Sequence, residues 1–493
     1  MRRFLRPALS VILILAVLVL PGCFMFFQLD DPSGFSVVGP TPSVGIAASP
    51  HPSEAGSDQP STASPAPTET PAAPPASFDL RALGAAPTVE DQGDSNDCWA
   101  YAALAALESD LAYQNGVAVD LSENHLTFSC DTGRGNTWGF YDVLNDGGNS
   151  DIAAAYFARR SGPVDESAFK YASPPRVDVT RSAKPSYVAR QVLYIPSHVD
   201  DDHPVASSED VQTVKQALMR YGAVCTDIRM DERYFSDRSD SYYFPEKQAT
   251  SRRPADHSVV LVGWDDAFPA EKFLKKPPGD GAWIAQNSYG SKWGDGGYFY
   301  ISYSDAYVCS FPVAFAGIVP AQPSGRAYVY DPLGVNQLYT PRNAAVVYGA
   351  NVFDRQQDGV IVDGEALDSV SVYLEDPGTT VTVSVGQAGI AADPSAFVLK
   401  EVGSATFAEP GYRTLVLDRP LPLMQRWFCV SVRFSGRDGV ELPIESRIEN
   451  YSRAAASPGQ SWYSSSGDKW TDITSVKKDS NLCIKAFTTV PLQ

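Results

Sequence analysis

The residue pattern changes at Pro320, and this change constrains the fold more than any other feature of the sequence. Beyond it, short runs of alternating apolar and polar residues are separated by Gly, Pro and Asp. Alternation with a period of two predicts strands, and many short strands at such spacing predict an antiparallel β-sandwich. We therefore expect a sandwich domain at 321–493, with strands that include 327–330, 368–374, 380–385, 413–417, 427–432 and 482–487.

Length and charge bound the remaining possibilities. The chain has 493 residues, enough for two or three domains with cores of their own. It carries 39 basic and 58 acidic residues, a net charge of −19. We do not expect this acidic chain to bind nucleic acid, because neutralising phosphates requires clustered Lys and Arg.

The N-terminus has the pattern of an export signal. Three arginines among the first six residues precede an apolar run from Ala8 to Leu20, which predicts a signal sequence. The run ends in Leu-Pro-Gly-Cys, which resembles a bacterial lipobox and implies that Cys23 is a lipid anchor. Apolar residues continue to Leu29, so an uncleaved signal-anchor helix is an alternative, and a cleaved, secreted form is another. We expect an exported protein held at the membrane by residues 1–29.

The next segment, 30–77, is rich in Pro, Ser, Ala and Thr and has almost no large apolar side chain from about Ser33 onward. This composition predicts a disordered tether, which its prolines would extend. It accounts for much of the excess among the 38 prolines of the chain.

A cysteine opens the first strongly apolar helix pattern. Ala103, Leu104, Leu107 and Leu111 recur on one face of a helix that Asn115-Gly116 ends. Cys98 then lies in the first turn, where the helix dipole and free N–H groups favour a thiolate.

A thiolate requires a base, and the chain has five histidines. His51 lies in the tether, His198 and His203 lie in a polar loop, and His125 follows a helix-start pattern typical of a structural residue. His257 opens an apolar β segment, 257–264, where a base would be held rigidly; a satisfied histidine at the core edge is the alternative.

The segment 281–294 predicts a strand that ends at Asn287, followed by a turn rich in Gly and Trp. An Asn in this place can accept the second N–H of an imidazole and fix its tautomer. An Asx-turn after a strand is the alternative.

Together these segments resemble the papain-like (C1 family) cysteine peptidases over residues 78–320. The resemblance implies an α+β fold with two lobes, followed here by the antiparallel β-sandwich. The matching residues, in chain order, are Gln92-Gly93, Cys98-Trp99-Ala100, Leu121-Ser122-Glu123-Asn124, Gly147-Gly148, Asp256-His257, Asn287-Ser288-Tyr289-Gly290 and Trp293-Gly294.

The resemblance implies a role for each catalytic position. Cys98 is the nucleophile, His257 is the general base that then protonates the leaving amine, and Asn287 orients His257. The Gln92 side chain donates to the oxyanion together with the backbone N–H of Cys98.

Substrate binding is assigned to Gly147, Gly148 and Trp293. The two glycines would let an extended substrate backbone approach closely enough to pair with the enzyme. No metal and no cofactor are expected.

The sequence also departs from the family pattern. Tyr289 replaces the Trp that usually follows near the Asn in the family. Ser95 and Asn145 occupy the two positions where the family usually has the cysteines of one disulfide, so that disulfide is not expected. Five other cysteines remain, an odd number, so we expect at least one free thiol unless one pairs between chains: Cys130, Cys225, Cys309, Cys429 and Cys483. The last two are expected to be buried free thiols, with a cross-strand disulfide as the alternative.

A peptidase followed by a β module resembles bacterial and archaeal papain-like enzymes with a lectin-like domain, which implies carbohydrate as a candidate ligand. Trp462, Tyr463 and Trp470 lie in a Ser/Gly-rich segment, predicted to be a loop, and could stack on a sugar ring. Aromatic plugs on the sandwich core are the alternative.

These patterns predict a membrane-tethered, extracytoplasmic cysteine endopeptidase with protein or peptide substrates. A catalytically silent adhesin or carbohydrate-binding protein on the same scaffold is one alternative. A cell-wall peptide amidase with the same triad is another.

Overall fold

The computed structural model describes residues 35–37, 73–132, 138–200, 202–250, 253–322, 325–339, 346–436 and 440–490. The predicted signal with Cys23, and His51 with most of the predicted tether, lie outside these residues. At Phe35–Val37 a strand, β1, replaces the predicted disorder because it pairs with Gln337–Tyr339. Within the described ranges, no helix has the length and apolar content needed to cross a bilayer.

Helices and strands alternate in the first part of the described chain. The helices are α1 (Cys98–Asn115), α2 (Glu123–Cys130), α3 (Val143–Asp146), α4 (Ser150–Ala158), α5 (Val177–Ser182) and α6 (Ser208–Tyr221). The strands are β2 (Ser77–Asp79), β3 (Tyr187–Tyr194), β4 (Val224–Ile228), β5 (Phe235–Ser236), β6 (Ser241–Tyr242), β7 (His257–Asp265), β8 (Ala282–Gln286), β9 (Tyr298–Ser302) and β10 (Ser310–Pro320).

The first helix begins at Cys98 and ends before Gly116, as predicted, but its burial differs from the prediction. We expected one apolar face, whereas α1 is buried on all sides along most of its length. Five alanines between positions 100 and 106 are the physical reason, because small side chains let strands and helices approach the helix from every direction. The N-terminus of α1 is thereby fixed in the core.

The second part is built from strands. They are β11 (Ala327–Tyr328), β12 (Gln337–Tyr339), β13 (Val346–Asp354), β14 (Ala366–Leu374), β15 (Thr379–Ala388), β16 (Lys400–Phe407), β17 (Gly411–Pro422), β18 (Trp427–Ser435), β19 (Leu442–Ser446), β20 (Ser461–Ser464), β21 (Thr471–Asp472), β22 (Ser480–Leu482) and β23 (Ile484–Thr489). One layer has the order β16-β15-β18-β13-β20-β21, and β14, β17 and β23 belong to the facing layer. Apolar side chains of both layers form one core, which confirms the predicted β-sandwich.

The facing layer does not stop at the edge of the sandwich. Strand β17 pairs antiparallel with β3 of the first part, through the register Gly411–Leu193, Tyr412–Val192 and Arg413–Gln191. The sheet therefore runs as β11-β23-β14-β17-β3-β10-β4-β7-β8-β9-β6-β5 across both parts. At this joint a Cβ on Gly411 would lie 2.1 Å from the carbonyl oxygen of Val192, so only glycine fits.

The aromatic residues considered for sugar stacking lie differently from the prediction. Trp462 and Tyr463 belong to strand β20 rather than to a loop. Trp462 and Trp470 are partly buried and pack against a small core that includes Val352 and Cys429. This arrangement corresponds to the alternative of aromatic plugs on the sandwich core.

Candidate active site

Cys98 is the first residue of α1. Although the residue is partly exposed, the groups packed around it desolvate its thiol, and this burial raises the pKa of Cys98 to about 12. The backbone N–H groups of Ser258 and Trp99 donate to the sulfur and oppose that rise, whereas the Asp227 carboxyl adds to it. Desolvation thus opposes the preference for a thiolate that the helix N-terminus provides.

His257 is the first residue of β7 and is 7% exposed. Its Nε2 lies 2.8 Å from Oδ1 of Asn287, the residue that follows β8. An amide oxygen only accepts hydrogen bonds, so Nε2 carries the proton and Nδ1 keeps its lone pair. Burial lowers the pKa of His257, and the hydrogen bond to Asn287 opposes this effect. The imidazole is thus buried, is fixed in orientation by Asn287, and has its neutral form favoured by burial.

Aromatic rings cover this contact from one side. The Tyr289 ring lies 5.1 Å from the His257 ring, centroid to centroid. Trp293 meets Tyr289 edge to face at 5.5 Å and is itself packed against Phe235 and Phe299. Tyr289 therefore occupies the shielding position next to the histidine, and Trp293 supports it from behind.

Gln92 is held by both ends of its side-chain amide. Its Nε2 donates to the carbonyl oxygen of Ser95 at 2.7 Å, and its Oε1 accepts from the Ser288 hydroxyl at 2.6 Å. Its backbone N–H also donates to the carbonyl oxygen of Ser288 at 2.9 Å. The position of Ser288 after Asn287 was visible in the sequence, but its role in fixing Gln92 was not predicted.

A buried polar pair lies beneath the thiol and was also missed. The Ser258 hydroxyl donates to Asp227 Oδ1 at 2.6 Å, and burial raises the pKa of Asp227 to about 6. Asp151 is a second buried carboxyl in this region; it accepts from the Tyr194 hydroxyl at 2.6 Å. The sequence signal that could have revealed this pair is an Asp inside the apolar strand β4, because a buried carboxyl requires a partner.

The predicted glycine pair follows α3. Gly147 has φ = 87°, and a Cβ on Gly148 would lie 2.5 Å from the Trp99 indole. Packing against the residue after the nucleophile is therefore sufficient to require glycine at 148. Tyr451 of the C-terminal part lines a small pocket together with these two glycines.

The other described histidines lie apart from this constellation. His125 is buried, with its ring nitrogens 2.7 Å from the Tyr156 hydroxyl and 3.0 Å from the Thr180 carbonyl oxygen. His198 and His203 lie in loops, near Asp210 and Asp200 respectively. Among the described residues, no three His, Cys, Asp or Glu side chains are grouped closely enough to hold a metal ion.

The cysteines of the described ranges are free thiols: Cys98, Cys130, Cys225, Cys309, Cys429 and Cys483. All except Cys98 are buried. This arrangement matches the expectation for Cys429 and Cys483 and excludes a cross-strand disulfide between them.

Two family profiles match the chain. Residues 74–315 match the papain family of cysteine proteases, and residues 327–488 match the lectin like domain. A cathepsin L-like peptidase of Aedes aegypti is 29% identical over 224 residues, which are 45% of this chain and 58% of that protein. Cysteine proteinase 15A of Pisum sativum is 30% identical over 230 residues, 46% of this chain and 57% of that protein. The chain thus spans little more than half the length of these curated relatives.

Solved structures reproduce both parts together. A variant of the clostridial cysteine protease Cwp84 after propeptide cleavage is 25% identical, with a TM-score of 0.71 over 84% of this chain and 99% of that chain. The cysteine protease and lectin-like domains of Cwp84, a surface layer associated protein of Clostridium difficile, share the fold with the same TM-score at 24% identity, over 85% and 89% of the two chains. The chain therefore joins a papain-family cysteine protease domain, residues 74–315, to a lectin-like domain, residues 327–488.

Proposed function

We propose that this protein is a cysteine endopeptidase that hydrolyses peptide bonds through a thioester at Cys98. The observation that carries the proposal is the 2.8 Å contact between His257 Nε2 and Asn287 Oδ1, close to a cysteine at a helix start. This contact leaves His257 Nδ1 as the basic nitrogen. The papain-family match of residues 74–315 supports the same roles.

In the proposed acylation step, the Cys98 thiol gives its proton to His257 Nδ1 while the sulfur attacks the carbonyl carbon of the scissile bond. The amine leaves with that proton, and the acyl group stays on sulfur as a thioester. A water molecule then attacks the thioester and gives a proton to His257, which returns it to the departing sulfur. Burial favours the neutral forms of both Cys98 and His257 and so disfavours a separated thiolate and imidazolium.

Gln92 and the backbone N–H of Cys98 are proposed to stabilise the oxyanion. The Gln92 amide has two N–H donors, and Ser95 uses one of them. Loss of one such donor lowers the rate by about 10²–10³. We expect Gln92→Ala to lower kcat by this factor with little change in KM, and the exposed-turn control Gln356→Ala to leave both unchanged.

Covalent labelling tests the nucleophile. A peptide epoxide should label the wild-type chain and fail to label Cys98→Ala, whereas Cys429→Ala, which removes a buried thiol of the lectin-like domain, should retain full labelling. Absence of labelling in the wild type would contradict the peptidase proposal and favour the adhesin alternative. Release of products from cell-wall peptides but not from a peptide library would favour the amidase.

Membrane tethering through Cys23 is part of the same proposal and rests on the sequence alone. Metabolic labelling with an alkynyl fatty acid should modify the wild type and not Cys23→Ser. The signal-anchor alternative would be indicated by two results together: the wild type is not labelled, and the Cys23→Ser protein still sediments with membranes. An unlabelled wild type found in the medium would indicate secretion.

Carbohydrate binding is proposed for the lectin-like domain on the strength of its family match. Binding of the full chain to a glycan array, unchanged in Trp462→Phe, would place the sugar away from the aromatic plugs. Absence of binding to any glycan would contradict this part of the proposal.

A further inference from the structure

A cavity of about 1000 Å³ lies between the two domains. On the protease side it is bounded by β3, by the residues after α5 and by the end of β10; on the lectin-like side it is bounded by β14 and β23. None of Cys98, His257 and Asn287 lines it. The cavity is therefore a second concave site, separate from the candidate active site.

The charge of this cavity is opposite to that of the chain. One carboxylate, Asp368, faces it together with five cationic side chains: Arg160, Arg181, Lys184, Arg190 and Arg326. The whole chain, in contrast, carries a net charge of −19. Clustering of cations in an acidic protein focuses a positive potential in a concave site and attracts anions.

Arg160 is the most confined of these cations. Its backbone has φ = 56°, its guanidinium donates to the Ser369 hydroxyl at 3.1 Å, and its Cζ lies 3.4 Å from the Phe487 ring centroid. Burial lowers the pKa of Arg160 to about 10; the Asp368 charge opposes this, and the Arg190 charge adds to it. The positive charge is thus only partly compensated, and an anion beside it would stabilise it.

The other cations differ in how they are already engaged. Arg326 donates to Asp358 at 2.8 Å and lies 3.8 Å from Glu365, so it belongs to the lectin-like domain's own ion pairs. Over the ranges that the structure describes, Lys184 and Arg190 form no ion pair with a carboxylate. Both are therefore available to a ligand, on the same side of the cavity as Arg160.

We propose that this cavity binds a short oligoanion, with phosphate or carboxylate groups repeated along it, and that the cations of the protease wall hold it. The volume exceeds what a single inorganic anion fills and suits a ligand of several units. Several cations on the protease wall, Arg160, Lys184 and Arg190, match negative groups at more than one point, which favours a chain of charges over one charge. Because the ligand binds the folded chain, it should stabilise that state by mass action.

Calorimetry on the full chain in low salt tests the proposal with three probes: tripolyphosphate, trigalacturonate and the neutral trisaccharide maltotriose. We expect one or both anions to bind and to raise the melting temperature, with loss of affinity in 0.5 M NaCl. The two anion arms distinguish a phosphate-bearing from a carboxylate-bearing source. Absence of binding by both anions, or equal binding of maltotriose, would overturn the proposal.

Charge removal places the site. Lys184→Gln/Arg190→Gln should weaken anion binding by about tenfold or more, because two charge-assisted contacts are lost. Arg419→Gln, a matched loss of one exposed cation on β17, should leave the affinity unchanged. If the double variant fails to fold, Lys184→Gln alone, at an exposed position, should still weaken binding by about threefold. Unchanged affinity in a folded Lys184 variant would contradict the assigned site.

Discussion

The protease domain and the lectin-like domain bury carboxyl groups in different ways. In the protease domain, Glu108 and Asp110 lie inside α1 at 6% and 2% exposure, and burial raises the pKa of both. In the lectin-like domain, Glu365 lies 3.0 Å from the equally buried Arg355. In the first arrangement burial favours the protonated carboxyl, whereas in the second a buried cation lies beside the carboxyl.

A second ion pair, Lys485–Asp331, has the same arrangement, although burial raises the pKa of Asp331. Glu375 and Glu445 differ: burial raises the pKa of both, and Glu445 accepts a hydrogen bond from the Leu333 backbone N–H at 2.6 Å. The comparison therefore contrasts particular sites: protonation matters at Glu108 and Asp110 of α1, whereas a paired cation matters at Glu365 of the sandwich.

The largest decrease in the free energy of unfolding is expected from Glu365→Gln. Glutamine keeps an acceptor for the hydroxyls of Tyr328 and Thr488 but leaves the Arg355 charge buried without its carboxylate. Loss of one partner of a buried pair costs about 3–5 kcal/mol. Urea unfolding followed by circular dichroism should show this decrease in the free energy of unfolding. A change below about 1 kcal/mol would show that the pair is not what stabilises the sandwich.

The second-largest effect is expected on the pH dependence of the free energy of unfolding, through Asp110. Burial raises the pKa of Asp110 from 3.8 to about 7, so the folded chain holds more protons than the unfolded chain between these values. The free energy of unfolding therefore falls as the pH rises through this window, by at most about 1.4 kcal/mol per pH unit for this group. Its contribution is complete below pH 3.8 and lost above about pH 7.

Urea unfolding at pH 4, 5, 6 and 7 measures this slope. The slope in Asp110→Asn should be shallower than in the wild type, because asparagine cannot release a proton. Asp418→Asn, at an exposed position of β17, is the matched control and should keep the wild-type slope. Identical slopes in the wild type and Asp110→Asn would remove the distinction between the two domains.

Glu108→Gln should lower the free energy of unfolding less than Glu365→Gln does. Since burial raises the pKa of Glu108 well above its usual value, the side chain is a neutral acid that glutamine imitates. The amide oxygen of glutamine can still accept a hydrogen bond from the Leu121 backbone N–H, which lies 2.9 Å from Oε1 of Glu108 in the wild type. We expect a change below about 1 kcal/mol at pH 6. A loss equal to that of Glu365→Gln would contradict the neutral form of Glu108.

The smallest effect is expected where the two domains meet in solvent. Glu409 accepts from Arg220 at 2.6 Å and from the Tyr221 hydroxyl at 2.9 Å, and the Arg220 side chain is 53% exposed. Exposed pairs contribute about 0–1 kcal/mol, so Arg220→Gln, which leaves Glu409 paired with Arg413 at 3.5 Å, should shift the melting temperature by only a few degrees. A large shift in scanning calorimetry would show that this pair, rather than the strand pairing, holds the domains together.

The sequence predicted the residues of the candidate site better than their surroundings. Cys98, His257 and Asn287 each stand at the end of an element with a clear local pattern, so their places could be predicted. The pairing of Asp227 with Ser258 depends on the register of β4 against β7, which the sequence does not specify. The burial of α1 on all sides depends on tertiary packing around its alanines.

The division into a protease-like part and a β-sandwich was also predictable, because the period of the apolar pattern changes. The hydrogen bonds between β17 and β3 were not, since they join residues more than 200 positions apart and use main-chain atoms. Neither side-chain composition nor spacing reports such a contact. The cationic cavity was missed for the same reason, as its arginines come from separate elements of both domains.

The joint at Gly411 has a consequence for how this architecture can diverge. Main-chain atoms form the link between β17 and β3, and Tyr373 and Tyr412 of the lectin-like domain pack into the core of the protease domain around it. One methyl group at position 411 would press on the Val192 carbonyl and separate the strands. Divergence of the two domains is thus restricted at Gly411 and in this shared core, while the surfaces away from them remain free to acquire new specificities.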